Sequence, residues 1–301
     1  MIRKFLPCLI GAAALFGSGL LSGGLPLLSA ANAATSGTFE FEVRADALKR
    51  NYRLYVPASY ERNKPAPLVI ALHGGLGTGK SMQKMSGLDR EAERHGMLIA
   101  YPDGIGRGWN AGSCCGKPME NKVNDVDFMA KLIADVKGRY AVDGQRIFGT
   151  GFSNGAMLLH KVACERPKLF TAMAPASGGI MVKKCDAKSA PAMMLVQGRQ
   201  DPRIPWDGGV FKGTYRPSIR EIVASLGKRN RCDQSESVTR KDEGVICRAL
   251  NGCGTRDVIW CELPGVGHQW AGGKTILPRL LGNNTDKFNA SAEVMRFFAK
   301  H

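Results

Sequence analysis

Residues 146–157 read Arg-Ile-Phe-Gly-Thr-Gly-Phe-Ser-Asn-Gly-Ala-Met, and this stretch decides the fold. Its first five residues, 146–150, are typical of a short buried strand, and the apolar residues of 156–163 recur at helical spacing. The segment between them, Gly151 to Gly155, matches the pattern G-x-S-x-G, a sharp turn that leads from a strand into a helix and exposes the serine hydroxyl. This order predicts Ser153 as a nucleophile, with an ordinary Gly-Ser turn as the alternative in a chain of 37 glycines.

Short apolar runs alternate with amphipathic segments along the rest of the chain. The continuous apolar run Leu68–Leu72 is typical of a central parallel strand, while Phe39–Val43 and Asn51–Val56 alternate as in an antiparallel hairpin. Further strands are expected at 97–101, 171–176, 192–196, 245–250 and 257–263, and helices around 82–92, 126–136, 219–226 and 288–298. The alternation predicts an α/β fold with a doubly wound, mostly parallel sheet and helices on both faces. Its catalytic groups should lie at the carboxyl ends of the strands.

A serine hydroxyl is a weak nucleophile and needs a general base together with an acid that orients that base. On this type of sheet the partners follow in the order Ser, Asp or Glu, His. Of the five histidines, His268 lies in a glycine-rich loop after a predicted strand, which makes it the candidate base; an ordinary loop histidine is the alternative. Asp201, directly beyond the strand at 192–196, is the candidate acid, with Asp207 as its competitor and a turn-forming aspartate as the alternative.

The oxyanion formed during attack by a serine needs N–H donors, usually from the residue after the nucleophile and from the turn after an early strand. These positions correspond to Asn154 and Gly75, with Leu76 as the alternative to Gly75, while His73 is expected to shape the loop. Three tryptophans are candidates for lining an acyl or sugar pocket, with packing in the core as the alternative: Trp109, Trp206 and Trp270.

The first 33 residues are typical of a removable export signal. Arg3 and Lys4 precede a stretch of apolar and small residues from Phe5 to Leu28, and Ala31-Asn32-Ala33 forms an A-x-A cleavage site. A retained membrane anchor is the alternative, but glycines and Pro26 interrupt the stretch. We therefore expect a signal peptide at 1–33, one catalytic domain at 34–301, a secreted or periplasmic location and no stable membrane anchor.

The mature chain is strongly basic. Without residues 1–33 it retains 40 Lys and Arg against 26 Asp and Glu, which gives a formal charge of +14. Such a charge suits nucleic acid, an anionic envelope or an acidic polysaccharide. The basic residues are scattered and no nucleic-acid-binding module accompanies them, so a solvated basic surface is expected and nucleic acid is not.

Eight cysteines remain after Cys8 leaves with the signal, and an even number in an exported chain indicates up to four disulfides. The expected pairs are Cys247–Cys261 across a hairpin, Cys232–Cys253 and Cys164–Cys185. Adjacent Cys114 and Cys115 form a vicinal pair or take partners from the other pairs. No spacing typical of a zinc site occurs, so neither a metal nor a cofactor is expected.

These residues together resemble the secreted esterases grouped as polyhydroxybutyrate depolymerases and feruloyl esterases. The likeness runs from about Asn51 to the carboxyl end and includes six segments: 72–75, 109–116, 124–128, 151–157, 201–202 and 267–270. The most specific is Trp-Asn-Ala-Gly-Ser-Cys-Cys-Gly at 109–116, which general α/β-hydrolase chemistry does not require.

The resemblance implies an α/β-hydrolase fold and an esterase in which Ser153 is the nucleophile, Asp201 the acid and His268 the base. Its substrates would be feruloyl or acetyl esters of polysaccharide, or hydroxyalkanoate oligomers. An acyltransferase remains an alternative, as does a non-catalytic envelope or glycan-binding protein on the same fold. The oligomeric state is left open.

Overall fold

The structure is a computed structural model that describes residues 35–211, 213–233 and 235–301. The export signal expected at 1–33 lies outside these residues. In the part of the chain that is described, no helix combines the length and the apolar character needed to cross a membrane.

Ten strands of the described chain form one sheet, in the order β1-β2-β4-β3-β5-β6-β7-β12-β11-β10, and β8 pairs with β9 in a separate hairpin. The strands are β1 Gly37–Ala45, β2 Leu48–Val56, β3 Ala66–Leu72, β4 Leu98–Pro102, β5 Val142–Phe152, β6 Ala172–Ala176, β7 Ala192–Gly198, β8 Gly209–Phe211, β9 Thr214–Arg216, β10 Glu236–Asp242, β11 Val245–Leu250 and β12 Val258–Leu263. The helices are α1 Gly79–Ser86, α2 Leu88–His95, α3 Gly116–Glu120, α4 Asp125–Arg139, α5 Asn154–Glu165, α6 Ile219–Asn230, α7 Pro278–Leu281 and α8 Ala290–Ala299.

The centre of the sheet is parallel and its edges are antiparallel. Strands β4, β3, β5, β6, β7 and β12 run parallel to one another. The pairs β1–β2, β2–β4, β12–β11 and β11–β10 are antiparallel. Strand β3 is buried along its whole length, because Leu68 and Ile70 face one hydrophobic core while Val69 and Ala71 face the other. A strand covered on both sides requires a continuous apolar sequence, as predicted.

Helices cover both faces of the sheet. Apolar side chains of α4, α5 and α6 enter one core, and those of α1, α2 and α8 enter the other. The predicted α/β-hydrolase type of fold, with a doubly wound and mostly parallel sheet, is therefore confirmed. The parallel strands all end on the same side of the sheet. The loops that carry the candidate site follow the carboxyl ends of β3, β5, β7 and β12.

The helices α1 and α2 and the strand β10 differ from the sequence expectation, and the short elements β8, β9, α3 and α7 were not predicted. The apolar face expected around 82–92 belongs to two helices, because Gly87 takes a left-handed conformation with a φ of 64° and ends α1 before α2 begins. Strand β10 was not predicted, since its sequence from Glu236 to Asp242 is polar and mostly exposed. It lies at the edge of the sheet, where only one neighbouring strand is needed.

Four disulfides pair the eight cysteines in the arrangement that the sequence analysis favoured. They are Cys114–Cys115, Cys164–Cys185, Cys232–Cys253 and Cys247–Cys261. The last of these joins directly opposed residues of β11 and β12, as expected for a hairpin bridge. The vicinal alternative for Cys114 and Cys115 is the one that the structure has.

Candidate active site

Ser153 lies on the turn between β5 and α5 in an unusual backbone conformation. Its φ is 53° and its ψ is −118°, values that cost a non-glycine residue energy and that occur mostly at functional positions. The turn is possible because glycine flanks it. A Cβ atom on Gly155 would lie 2.6 Å from the carbonyl oxygens of both Leu72 and His73, so any side chain there would push α5 away from β3. The sequence motif therefore forms the predicted strand-turn-helix unit.

Ser153, His268 and Asp201 form a continuous hydrogen-bonded chain. The Oγ atom of Ser153 lies 2.8 Å from Nε2 of His268, and Nδ1 of His268 lies 2.8 Å from Oδ2 of Asp201. Because an ionised carboxylate only accepts hydrogen bonds, Nδ1 carries the proton and Nε2 is left to accept the hydroxyl proton of Ser153. His268 and Asp201 are buried, while Ser153 is partly accessible from the cavity. The arrangement can transfer a proton from a nucleophile to a base.

Further hydrogen bonds fix the carboxylate of Asp201. Its Oδ1 atom accepts from the backbone N–H groups of Arg203 and Ile204, both at 2.8 Å, and its Oδ2 atom accepts from Nε2 of Gln197 at 3.0 Å. Gln197 was missed in the sequence, although its position at the end of β7, four residues before Asp201, is a usable signal. The competing acid Asp207 lies at the surface in an ion pair with Arg199.

The two expected oxyanion donors lie beside Ser153. Gly75 and Asn154 both line the cavity, and a Cβ atom on Gly75 would lie 4.0 Å from Cβ of Asn154. Within the described residues, neither backbone N–H donates a hydrogen bond to the protein. The N–H of Leu76, the alternative donor, is occupied by a 2.8 Å hydrogen bond to the carbonyl of Arg107. This pattern favours Gly75 over Leu76.

His73 shapes the loop after β3, as expected. Its Nδ1 atom lies 2.7 Å from the carbonyl oxygen of Gly74, and its Nε2 atom accepts a 2.9 Å hydrogen bond from the N–H of Gly104. Burial lowers the pKa of His73, which keeps the imidazole neutral in this role. Both ring nitrogens have partners in the loops, so His73 holds the Gly74-Gly75 turn against the loop after β4.

The side chain of Asn154 also connects two loops. Its Oδ1 atom accepts from the N–H of Trp109 at 2.7 Å, and its Nδ2 atom donates to the carbonyl of Trp109 at 3.0 Å. The indole of Trp109 donates in turn to the carbonyl of His73 at 2.8 Å. The segment at 109–116 is therefore attached to the start of α5 and to the loop after β3.

A buried ion pair supports this segment from behind. Arg50 contacts Asp125 at 2.7 Å, and the other carboxylate oxygen of Asp125 accepts from the N–H of Asn110 at 2.7 Å. The guanidinium of Arg50 also lies 3.8 Å from the ring centre of Phe128. Burial raises the pKa of Asp125, and the charge of Arg50 opposes that rise. Sequence reasoning noted Asp125 only as part of a motif, and the structure gives it this supporting contact.

The prediction that tryptophans line the substrate pocket is wrong. Trp109 and Trp270 have no exposed surface and Trp206 is 8% exposed; none of the three contributes to the cavity wall. The indole of Trp270 packs in the second core and its N–H donates a hydrogen bond to Ser291. Core packing, the alternative named from the sequence, holds for these residues.

A cavity of about 700 Å³ opens over Ser153 and is mainly apolar. Its walls include Met82, Met85, Phe152, Met157, Ile204 and Ile276. Three leucines of the cavity wall are themselves largely exposed: Leu76, Leu277 and Leu280. A cavity of this size and character suits an organic ligand with an apolar part. Among the described residues, no group of three or more His, Cys, Asp or Glu side chains is arranged to hold a metal ion.

Comparison with known proteins shows to which family the chain belongs. A family model described as esterase PHB depolymerase matches residues 50–239, nearly two thirds of the chain. The chain belongs to this family. The match includes the turn at 151–155 and Asp201, whereas His268 lies beyond its end.

Curated relatives of this esterase include feruloyl esterases. A probable feruloyl esterase C of Aspergillus niger is 34% identical over 222 residues, which cover 71% of this chain and 72% of that protein. The putative esterase NocK of Nocardia uniformis subsp. tsuyamanensis is 27% identical over 268 residues, which cover 80% of this chain and 76% of that protein. Together with the family match, these relatives identify the chain as a carboxylic ester hydrolase.

A solved structure shares the fold of the esterase. The acetyl xylan esterase from Aspergillus awamori superposes with a TM-score of 0.59 and 18% identity, covering 77% of this chain and 94% of that chain. At this identity the likeness concerns the fold. It agrees with the sheet and helix arrangement described above.

Proposed function

We propose that this esterase uses Ser153, His268 and Asp201 as a catalytic triad. The observation that carries the proposal is the pair of 2.8 Å contacts joining the three side chains at the wall of an apolar cavity. As Ser153 Oγ attacks the carbonyl carbon of the ester, Nε2 of His268 takes the hydroxyl proton, and Asp201 stabilises the imidazolium that forms. His268 then gives this proton to the departing alkoxide, which leaves an acyl group on Ser153. Water repeats the sequence and releases the acid.

The N–H groups of Gly75 and Asn154 hold the oxyanion in this scheme. Their freedom from other hydrogen bonds in the described chain supports the assignment, as does their closeness to each other: a Cβ atom on Gly75 would lie 4.0 Å from Cβ of Asn154. Donors held by the backbone need no reorientation when charge develops on the carbonyl oxygen, and removal of one such donor typically slows the reaction about a hundredfold or more. The side chain of Asn154 has the separate task of holding Trp109.

We further propose that the enzyme acts outside the cytoplasm after removal of residues 1–33. The basic start, the apolar stretch and the A-x-A site support an export signal, and four disulfides suit an oxidising compartment. Its substrates are then esters of feruloyl or acetyl groups on polysaccharide, or hydroxyalkanoate oligomers. The apolar cavity and the relationship to feruloyl esterase C support this substrate range.

A panel of esters tests the proposed chemistry. The mature enzyme is assayed with p-nitrophenyl acyl esters, methyl ferulate and hydroxybutyrate oligomers, alongside Ser153→Ala as the test variant and Ser113→Ala as a serine control from the same cavity. We expect Ser153→Ala to lower kcat about 10⁴-fold or more, and Ser113→Ala to retain most of the activity. Ester turnover that persists in Ser153→Ala would overturn the proposed nucleophile.

A further inference from the structure

Arg216 lies at the end of β9 and faces the same cavity as Ser153. Only 8% of its surface is exposed, and its guanidinium packs against sulfur and carbon. The Nη1 atom lies 3.7 Å from the sulfur of Met157 and 3.6 Å from that of Met181, and Cζ lies 5.2 Å from the ring centre of Phe211. A thioether sulfur is a weak hydrogen-bond acceptor, so these contacts leave the charge of Arg216 largely uncompensated.

The other buried arginines of the described chain have oxygen partners. Arg50 contacts the carboxylate of Asp125, and Arg229 donates to the carbonyls of Ala163 and Ser189 at 2.6 Å and 3.2 Å. In the described residues, Arg216 has no carboxylate within ion-pair distance, although the nearby charge of Asp201 partly offsets the lowering of its pKa by burial. The Nε atoms of all three buried arginines lack a partner there, so what distinguishes Arg216 is that its guanidinium contacts sulfur and no oxygen. Since arginine stays protonated in proteins, Arg216 is a buried cation without an ion-pair partner in the described residues.

The guanidinium of Arg203 also lines the cavity. Arg203 follows Asp201 in the loop after β7, and its Nε atom is buried without a partner among the described residues. No ion pair joins Arg203 to a carboxylate in that part of the chain. Two cationic side chains thus reach an otherwise mainly apolar cavity beside the proposed nucleophile.

We propose that Arg216, assisted by Arg203, binds a free carboxylate carried by the ester substrate. The planar guanidinium matches the two oxygens of a carboxylate and holds them most strongly where water is excluded. The preferred substrates are then esters with an apolar portion and a negatively charged end. The carboxylate can belong to the acyl part, as in a half-ester of a dicarboxylic acid, or to the alcohol part, as in an acylated hydroxy acid. This inference rests on the proposed function, because the ester must reach Ser153.

Pairs of substrates that differ in one charge test the subsite. On the acyl side, monomethyl glutarate is compared with methyl glutaramate, in which an amide replaces the carboxylate. On the alcohol side, β-acetoxybutyrate is compared with β-acetoxybutyramide. We expect the carboxylate member of one pair to be preferred in kcat/KM by about 10- to 100-fold, and the pair that shows it identifies which part of the ester contacts Arg216.

Variants of Arg216 test the source of the preference. Arg216→Met keeps the length and apolar packing beside Met157 but removes the charge, and we expect it to lower the ratio of kcat/KM for the carboxylate substrate over the amide substrate to about one. Arg216→Lys should restore part of the preference as a point charge. Arg90→Met, which removes a charge from the exposed surface of α2, is the matched control and should leave the preference unchanged. A preference that survives in Arg216→Met would overturn the assignment.

Binding without turnover separates the subsite from the chemistry. Titration calorimetry on Ser153→Ala with glutarate and with glutaramide should show binding of the dianion alone, and Arg216→Met in the same background should weaken it about 10- to 100-fold. Equal binding of both compounds, or equal binding by both variants, would overturn the subsite while leaving the serine mechanism intact. Binding of glutarate by an enzyme that hydrolyses no ester would support the subsite and count against the proposed function.

Discussion

Two regions of the esterase each bury a carboxylate and an arginine, and the two regions arrange these charges differently. Behind the loop at 109–116, Arg50 and Asp125 contact each other at 2.7 Å and compensate each other inside the fold. At the cavity, Asp201 hydrogen bonds to His268, while Arg216 lies against sulfur atoms and a ring. We infer that the first region stabilises the structure, whereas the second leaves its charges available to the reaction and to a ligand.

The largest effect is expected at the cavity, where replacement of Asp201 should lower the activity of the enzyme. Asp201→Asn should lower kcat by about 10⁴-fold, because the amide favours the wrong tautomer of His268 and cannot stabilise the imidazolium. The matched control is Asp207→Asn, the surface acid of the same loop, which should stay within about threefold of wild type. Steady-state kinetics with one p-nitrophenyl ester measures both. A greater loss in Asp207→Asn than in Asp201→Asn would reverse the assignment of the acid.

The next largest effect concerns the free energy of unfolding and the ion pair between Arg50 and Asp125. Arg50→Met should lower the free energy of unfolding by about 3–5 kcal/mol, since it leaves the fully buried carboxylate of Asp125 without its counter-charge. Arg216→Met should not lower the free energy of unfolding and should raise it, because no carboxylate loses an ion-pair partner and the cost of burying an unpaired charge is removed. Urea unfolding measures both free energies. Adding Asp125→Asn to Arg50→Met should recover part of the loss, and equal losses for the two arginine variants would contradict the contrast between the regions.

A smaller effect, dependent on pH, is expected at His160 on α5. Its side chain is buried outside the cavity, Nε2 has no partner in the described chain, and burial together with the charge of Arg229 lowers its pKa to about 3. The unfolded chain, with a histidine pKa near 6.5, therefore binds the proton more readily than the folded one. The contribution of His160 to the free energy of unfolding is fully present above about pH 6.5. It decreases as the pH falls towards 3, by up to about 1.4 kcal/mol per pH unit.

The variant His160→Gln tests this expectation. Urea unfolding of wild type and variant is compared at about pH 8 and about pH 5. The variant should lose less stability than wild type on acidification, whatever its offset at the higher pH. Parallel losses in the two proteins would show that a neutral buried His160 does not contribute to acid sensitivity.

Local sequence patterns predicted much of the fold and the main candidate residues. The apolar run at 68–72 identified a central strand, and the glycines around Ser153 identified a turn that other residues cannot form. The chain order of acid and base then pointed to Asp201 and His268, which the structure brings to Ser153. These signals are readable because each depends on a few neighbouring residues or on the order of strands.

Other features depend on contacts between distant segments, and no local pattern encodes them. Trp109, Trp206 and Trp270 have the same aromatic character whether they line a pocket or fill a core. In the folded chain all three are buried in the core. The environment of Arg216 arises only where the β8–β9 hairpin meets α5 and the segment around Met181. Gln197 and the side chain of Asn154 acquire their tasks from loops that fold back on them.

Covalent labelling of the mature enzyme with a fluorophosphonate tests the role of Ser153 most directly. Such a reagent bonds to an activated serine oxygen and releases fluoride, so mass spectrometry can locate the adduct. We expect one adduct per chain on the peptide that contains Ser153, and labelling of His268→Gln slower by about 100-fold or more. An adduct on another serine, or equal labelling rates for wild type and His268→Gln, would contradict a nucleophile activated by this histidine.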